Sequence, residues 1–179
     1  MADQLNRSSW TRSWSLFSML CMLLLSSALT SGCSKPGIVD GKAVVNLDGT
    51  DYTLTIVADD ATRERGLGGV ESLPEHGGML FVFPDSKLRA FVMRDCLIDI
   101  DIIFLDPSGR IVAMHHMPVE PAQLESETPL EYERRLKRYS SRFSAQYAIE
   151  IAGGELETLD LKEGELVDLD TEYLQSIVQ

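Results

Sequence analysis

Two carboxylates set two residues apart, Asp99 and Asp101, are the most chemically suggestive pair in the chain. They lie in the run Ile98-Asp99-Ile100-Asp101-Ile102-Ile103-Phe104-Leu105-Asp106, where alternate residues of a strand share a face. Strand rise puts such carboxylates about 6–7 Å apart. That spacing suits a metal ion, or a division of labour between a general acid and a general base. The plainer reading is one solvated face of an antiparallel strand, with Ile100, Ile102 and Phe104 turned to the core. Arg94 follows the apolar residues Phe91-Val92-Met93. A guanidinium so placed can bind a carboxylate or phosphate through two parallel hydrogen bonds, or form a structural pair with Asp95 or Asp101.

Met114-His115-His116-Met117 offers imidazole and thioether groups, which suit Cu(I). Alternation sends Met114 and His116 one way, and His115 and Met117 the other. A copper site would therefore need more ligands, from Met79, Met93 or Cys96. Cys96 could serve as a nucleophile with His115 or His116, although no spacing brings them together. No zinc-type spacing, phosphate-binding glycine loop or serine triad is legible. The sequence accordingly assigns no metal and no cofactor.

The elements that position these residues are short. Gly78–Pro84, Ala90–Cys96, Ile98–Asp106 and Gly109–Met117 are apolar runs rich in β-branched and aromatic residues, punctuated by Pro84-Asp85-Ser86 and Asp106-Pro107-Ser108-Gly109. That pattern predicts an antiparallel meander. Upstream, Ala43–Leu47 and Tyr52–Ala58 flank Asp48-Gly49-Thr50-Asp51 and predict a hairpin, with Tyr52, Leu54 and Ile56 on its buried face. Asp59-Asp60 caps a short helix that Gly66 stops. Thr128, Pro129 and Glu131 form a capping box. Tyr132, Leu136, Tyr139 and Phe143 then predict an amphipathic helix over 128–143, covering an open end of the sheet. Tyr147–Ile151 and Leu166–Leu169 read as strands, with a helical segment near 156–161 between them. The whole is mainly β: an antiparallel β-sandwich or partly closed barrel with two or three small helices.

The motifs GMLFVF, FVMRDC and IDIDIIFLDPSGRI, in that order, resemble the DUF192 (UPF0127) family of small β-rich domains without an assigned biochemical function. The resemblance covers about Thr53 to Leu169. Val92 stands where the family pattern has Trp, Arg94-Asp95-Cys96 replaces Lys-Asn-Thr, and Asp99 replaces Pro. Arg94 matches the pattern's basic position and Asp101 its Asp. The resemblance makes the 128–143 segment an insertion. It points to a ligand cleft near Met79, Met93, Arg94 and Asp101, with Asp99 alongside.

Arg7 and Arg12 precede an apolar stretch from Leu16 to Leu29, and small residues then lead to Cys33. This predicts a signal peptide over 1–32, since the run is short for a membrane span of roughly 20 residues. Ser31-Gly32-Cys33 resembles a bacterial lipobox with Cys33 as the lipidated residue, and Ser34 after it resembles an outer-membrane signal. A tether over 33–41 would join the anchor to one domain over 42–179. With Cys21 in the leader and Cys33 acylated, Cys96 is the one thiol left in the fold, so it has no disulfide partner there. The chain has a net charge of −12, which disfavours nucleic-acid phosphates as a partner. The expected function is a non-enzymatic ligand-binding or accessory domain, attached to the membrane by its lipid, with a small ligand or an envelope protein as partner. The alternatives are an envelope hydrolase using Asp99 and Asp101, and a copper-binding protein.

Overall fold

The computed structural model describes residues 37–179. The leader, Cys33 and the start of the tether, through residue 36, lie outside the described residues. Seven strands form one mixed sheet that does not close: β1 (Ile38–Val39), β2 (Lys42–Leu47), β3 (Thr50–Val57), β4 (Gly77–Phe91), β5 (Ile100–Leu105), β6 (Ile111–Met117) and β7 (Tyr139–Ala152). Their spatial order is β1-β2-β3-β4-β7-β5-β6. The helices are α1 (Asp60–Arg65), α2 (Pro129–Arg135) and α3 (Thr171–Ile177), with a 3₁₀ turn at Glu155–Thr158. The mainly β class with three small helices is as the sequence predicts.

The β2–β3 hairpin forms where expected. Asp48 and Gly49 both take positive φ, 49° and 81°, the backbone that matches the twist of a two-residue hairpin. Tyr52 and Leu54 are buried while Thr53 and Thr55 are exposed. Other boundaries differ from the sequence reading. Ile38–Val39 pairs with β2, so the supposed tether already belongs to the sheet. The runs 78–84 and 90–91 are one long strand, and Pro84 lies within it rather than ending it. Register shifts between Val82 and Lys87 and between Leu88 and Ala90 absorb the irregularity. β3 and β4 pair in parallel, against the all-antiparallel expectation, and α1 lies in the crossover that such a pair requires. The helix expected over 128–143 ends at Arg135, because Leu136 is already extended (φ −61°, ψ 132°). Tyr139 and Phe143 lie on β7 instead, the first buried and the second exposed. Leu166 makes only an isolated bridge to Arg110, and α3 follows where the sequence suggested no helix.

β7 is flanked by β4 and β5, and its alternating side chains divide the apolar residues between two clusters. One holds Leu80, Val82, Ile103, Leu105, Tyr147, Ile149 and Ile151 and is covered by the 3₁₀ turn and by Leu174 of α3. The other holds Phe81, Met93, Cys96, Ile100, Ile102, Phe104 and Ala148 and is covered by Leu67 and the 92–98 segment. Odd and even positions of the same strands thus serve opposite faces. β4 and β7 approach closely at Gly78, where an added Cβ would lie 2.1 Å from the carbonyl oxygen of Glu150. Gly78→Ala is expected to destabilise the domain by about 2–3 kcal/mol through forced separation of the two strands, measured by denaturant unfolding. An unchanged midpoint would show that the close approach is dispensable.

Candidate functional site

The structure separates the residues singled out by sequence. Asp101, fully buried, lies on the face that carries Ile103 and Leu105, so the solvated-face reading does not hold for it. Its Oδ1 accepts from His116 Nδ1 at 2.7 Å, and its Oδ2 accepts from the Leu156 amide at 2.8 Å. The carboxylate thereby ties β5 and β6 to the 3₁₀ turn. Asp99 is half exposed, accepts from the Val119 amide at 2.7 Å and lies 4.0 Å from His116 Nε2. His116 is held above the ordinary histidine range, first by its hydrogen bond to Asp101 and then by the charges of Asp101 and Asp99. His115 contacts the Ser140 carbonyl at 2.7 Å, and Met117 is buried. Among the described residues no group of three or more His, Cys, Asp or Glu is placed to hold a metal ion.

Arg94 makes neither of the pairs expected of it, with Asp95 or with Asp101. It binds Glu133 of α2, Nε to Oε1 and Nη2 to Oε2, the second at 3.0 Å. One turn residue further on, the Asp95 amide donates to the Tyr132 hydroxyl at 3.0 Å, and that hydroxyl donates to Asp95 Oδ1 at 3.2 Å. α2 is positioned for this by its capping box, which forms as the sequence predicts. The helix therefore clamps the 94–96 turn, where Asp95 takes a positive φ of 53°.

That turn, α1 and the distal half of β4 enclose a cleft of about 560 Å³ on the face opposite Asp101. Phe81, Phe83 and Phe91 line it and form an edge-to-face array, with centroids 5.1 Å apart for Phe81–Phe91 and 6.3 Å for Phe83–Phe91. Arg89 stacks on Phe83 at 3.7 Å. Arg63, Arg65, Lys87, Arg89 and Arg94 bring positive charge to the lining. Four of them have internal carboxylate partners: Arg63 with Asp60, Lys87 and Arg89 with Asp85, and Arg94 with Glu133. Arg65 has no such ion pair among the described residues.

Glu150 of β7 also lines this cleft. It is 5% exposed, and its Oε2 has no hydrogen-bond partner. Burial pushes its carboxyl up to about 8, so it is largely protonated at neutral pH and can donate a hydrogen bond. Gly66 closes over it: a Cβ there would sit 3.7 Å from Glu150 Oε2 and 3.5 Å from the Phe81 ring. Cys96 lies nearby as a thiol, pushed up to about 11 by burial first and by the Glu150 and Asp95 charges after it. Such a thiol is a poor nucleophile at neutral pH. Of the residues predicted as a site, Arg94 lines the cleft. Met79, the cross-strand neighbour of Glu150, packs against the apolar cluster on that face, and Met93 is buried within the cluster. Asp99 and Asp101 line neither the cleft nor the smaller depression beside it. Glu150 was not legible as a site residue, because a lone Glu between isoleucines reads as the polar face of a half-exposed strand.

The sequence profile of DUF192, described as an uncharacterised ACR, matches residues 43–169. The chain belongs to the DUF192 family. A UPF0127 protein of the archaeon Thermococcus gammatolerans is 33% identical over 110 residues, a match spanning 60% of each chain. Two crystal structures share the fold. One is a protein of unknown function from Novosphingobium aromaticivorans, 21% identical with a TM-score of 0.57, covering 76% of this chain and 94% of the other. The second is a Sinorhizobium meliloti protein described as a candidate transcription regulator, 24% identical with a TM-score of 0.54, covering 73% and 96%. At these identities the two structures establish the fold alone.

Two measurements check this geometry. Asp101→Ala should destabilise the domain by about 3 kcal/mol, since it removes a buried acceptor of two hydrogen bonds. Arg94→Met should change stability by about 1 kcal/mol or less, because its pair with Glu133 is one-third exposed. The double mutant should be additive, and strong coupling would contradict their placement apart. The second measurement is pH dependence. Glu150 holds its proton in the folded state over a range, from about 4.5 to about 8, where the unfolded chain has lost it, so stability falls as pH rises across that window. His116 acts in the same direction: its raised value gives stability that is present below the ordinary histidine range and lost as pH rises through the folded value. Glu150→Gln should flatten the slope and raise the melting temperature more at pH 8 than at pH 5. An unchanged slope would mean that Glu150 is ionised in the folded state.

Proposed function

We propose that this DUF192 domain is a non-enzymatic ligand-binding module of the bacterial envelope, with its ligand in the cleft over Glu150. The observation that carries the reading is the unpartnered, almost fully buried carboxyl at the cleft. Leaving such a group unsatisfied costs about 1–3 kcal/mol, and a ligand that completes its hydrogen bonding recovers that loss. The cleft volume falls within the roughly 300–1,000 Å³ of small-molecule sites, and its aromatic wall supplies apolar contact. Binding is favoured over catalysis because Cys96 is protonated, Asp101 is committed to two hydrogen bonds, and Asp99 and Asp101 line neither the cleft nor its neighbouring depression.

The envelope part of the reading rests on the sequence of the leader and of Ser31-Gly32-Cys33. In it, Cys33 carries the lipid and Ser34 directs the protein to the outer membrane rather than the inner. Firm attachment needs the several acyl chains of a lipoprotein cysteine, since one chain binds only marginally. Cys33→Ser is expected to leave the protein unprocessed or to release it from membranes on fractionation. A soluble mature protein beginning at another residue would remove the anchor.

The cleft is tested by a thermal-shift screen of small molecules against wild type and Glu150→Leu. A ligand that stabilises the wild type should bind the variant at least about tenfold more weakly, which corresponds to 1.4 kcal/mol. A ligand held equally by both would place binding elsewhere on the domain.

A further inference from the structure

The composition of the cleft narrows the chemistry of what it binds, and this step rests on the binding reading above. In a chain with 28 acidic and 16 basic residues, five basic side chains line one cleft, against Asp60, Glu64, Asp85 and Glu150. Four of the five are matched by internal carboxylates, which leaves the Arg65 guanidinium with its donors free of any ion pair among the described residues. Arg65 adjoins Gly66, the residue that covers Glu150 Oε2. Arg65 and Arg94 also line the adjoining depression floored by Gly68 and Gly69, so both border two hollows at once.

We propose that the cleft binds a small amphipathic organic anion, its apolar body against the partly exposed Phe83 and Phe91, which Phe81 backs from the core, and its anionic oxygens on the Glu150 carboxyl and the Arg65 guanidinium. A protonated carboxyl is a donor with nothing to donate to until an acceptor arrives. An anion supplies that acceptor and meets a charge-assisted partner in Arg65. An ammonium ligand fits less well. It would have to ionise Glu150 in an apolar setting and would enter past arginines of the same sign. The neutral carboxyl thus sets the polarity of the ligand, and the phenyl rings set its apolar character. Burial supports this protonation state, since it holds the Glu150 carboxyl above neutrality.

Three probes of one shape separate the possibilities: phenylacetate, phenylacetamide and phenethylamine. Binding is measured by calorimetry on the full-length chain in detergent, with wild type, Arg65→Gln, Glu150→Gln and Glu150→Leu. Phenylacetate should bind best. Arg65→Gln and Glu150→Leu should each weaken it roughly tenfold, the loss expected for a hydrogen bond to a charged group. Glu150→Gln, which keeps a donor, should retain binding. Raising the pH from about 6.5 to about 9 should weaken phenylacetate binding to wild type but not to Glu150→Gln. Sharing the cleft with Glu150 are Asp60, Arg63, Glu64 and Arg65 from α1, Asp85, Lys87 and Arg89 from β4, and Arg94 and Cys96 from the turn. The Cys96 thiol stays protonated over that interval. Preference for phenethylamine, or equal binding of the amide, overturns the anion inference while leaving the cleft as a binding site. Binding of none of the three up to millimolar concentration overturns both.

Discussion

Burial of β7 on both faces is the constraint from which the rest of this domain follows. From Tyr147 to Ile151 the strand pairs with β4 on one side and β5 on the other, so neither edge is open there, and its side chains supply two apolar clusters at once. A strand in this position reaches water on neither face unless something leaves a gap above it. Glu150 sits at such a gap. Its environment is dry because Phe81, Cys96 and the Gly66 turn surround it, and this dryness, rather than any charged neighbour, is what raises its proton affinity. The same packing demands a glycine at position 78, where β4 passes against the Glu150 backbone.

Asp101 and Glu150 are buried on opposite faces with opposite results. Asp101 is buried and satisfied, and it joins β5, β6 and the 3₁₀ turn through His116 and the Leu156 amide. Glu150 is buried and unsatisfied. Buried polar groups are nearly always paired, so the first is a structural fastening, whereas Glu150 Oε2, like Glu155 Oε2 of the 3₁₀ turn, is left without a partner. α2 contributes at one remove: its Glu133 and Tyr132 hold the turn that carries Arg94 and Cys96 to the cleft. The helix lies beside the Arg94-Asp95-Cys96 turn, and the two bind each other directly.

Much of the fold was legible in local chemistry. The Asp48-Gly49 turn and the Thr128 capping box depend on residues close in sequence, and each forms as its residues dictate. What was not legible depends on distant contacts. Tyr132, Leu136, Tyr139 and Phe143 have helical spacing, yet Tyr139 and Phe143 lie on β7, with Tyr139 opposite Phe91 of β4. Tertiary pairing overrides periodicity there. The parallel β3–β4 pair leaves no local mark at all. The site fared likewise. Arg94, marked by its place after an apolar run, does line the cleft, whereas the spacing of Asp99 and Asp101 would have been meaningful only with one-sided exposure. Glu150 escaped notice because its burial is conferred by segments some 50 to 80 residues upstream.

The parallel pair has a further consequence, which concerns local stability rather than recognition. Its crossover carries α1, a helix of six residues with no fully buried residue, in which only the Arg63 side chain is largely covered. Its ties to the body are few: Arg63 to the carbonyls of Val82 and Gln179, and Leu67 just beyond its end. A segment so lightly held opens at lower free energy than the sheet beneath it, as an independent cooperative unit. The wall of the cleft nearest Glu150 is therefore expected to open before the sheet does, and that opening would give the buried carboxyl access to water.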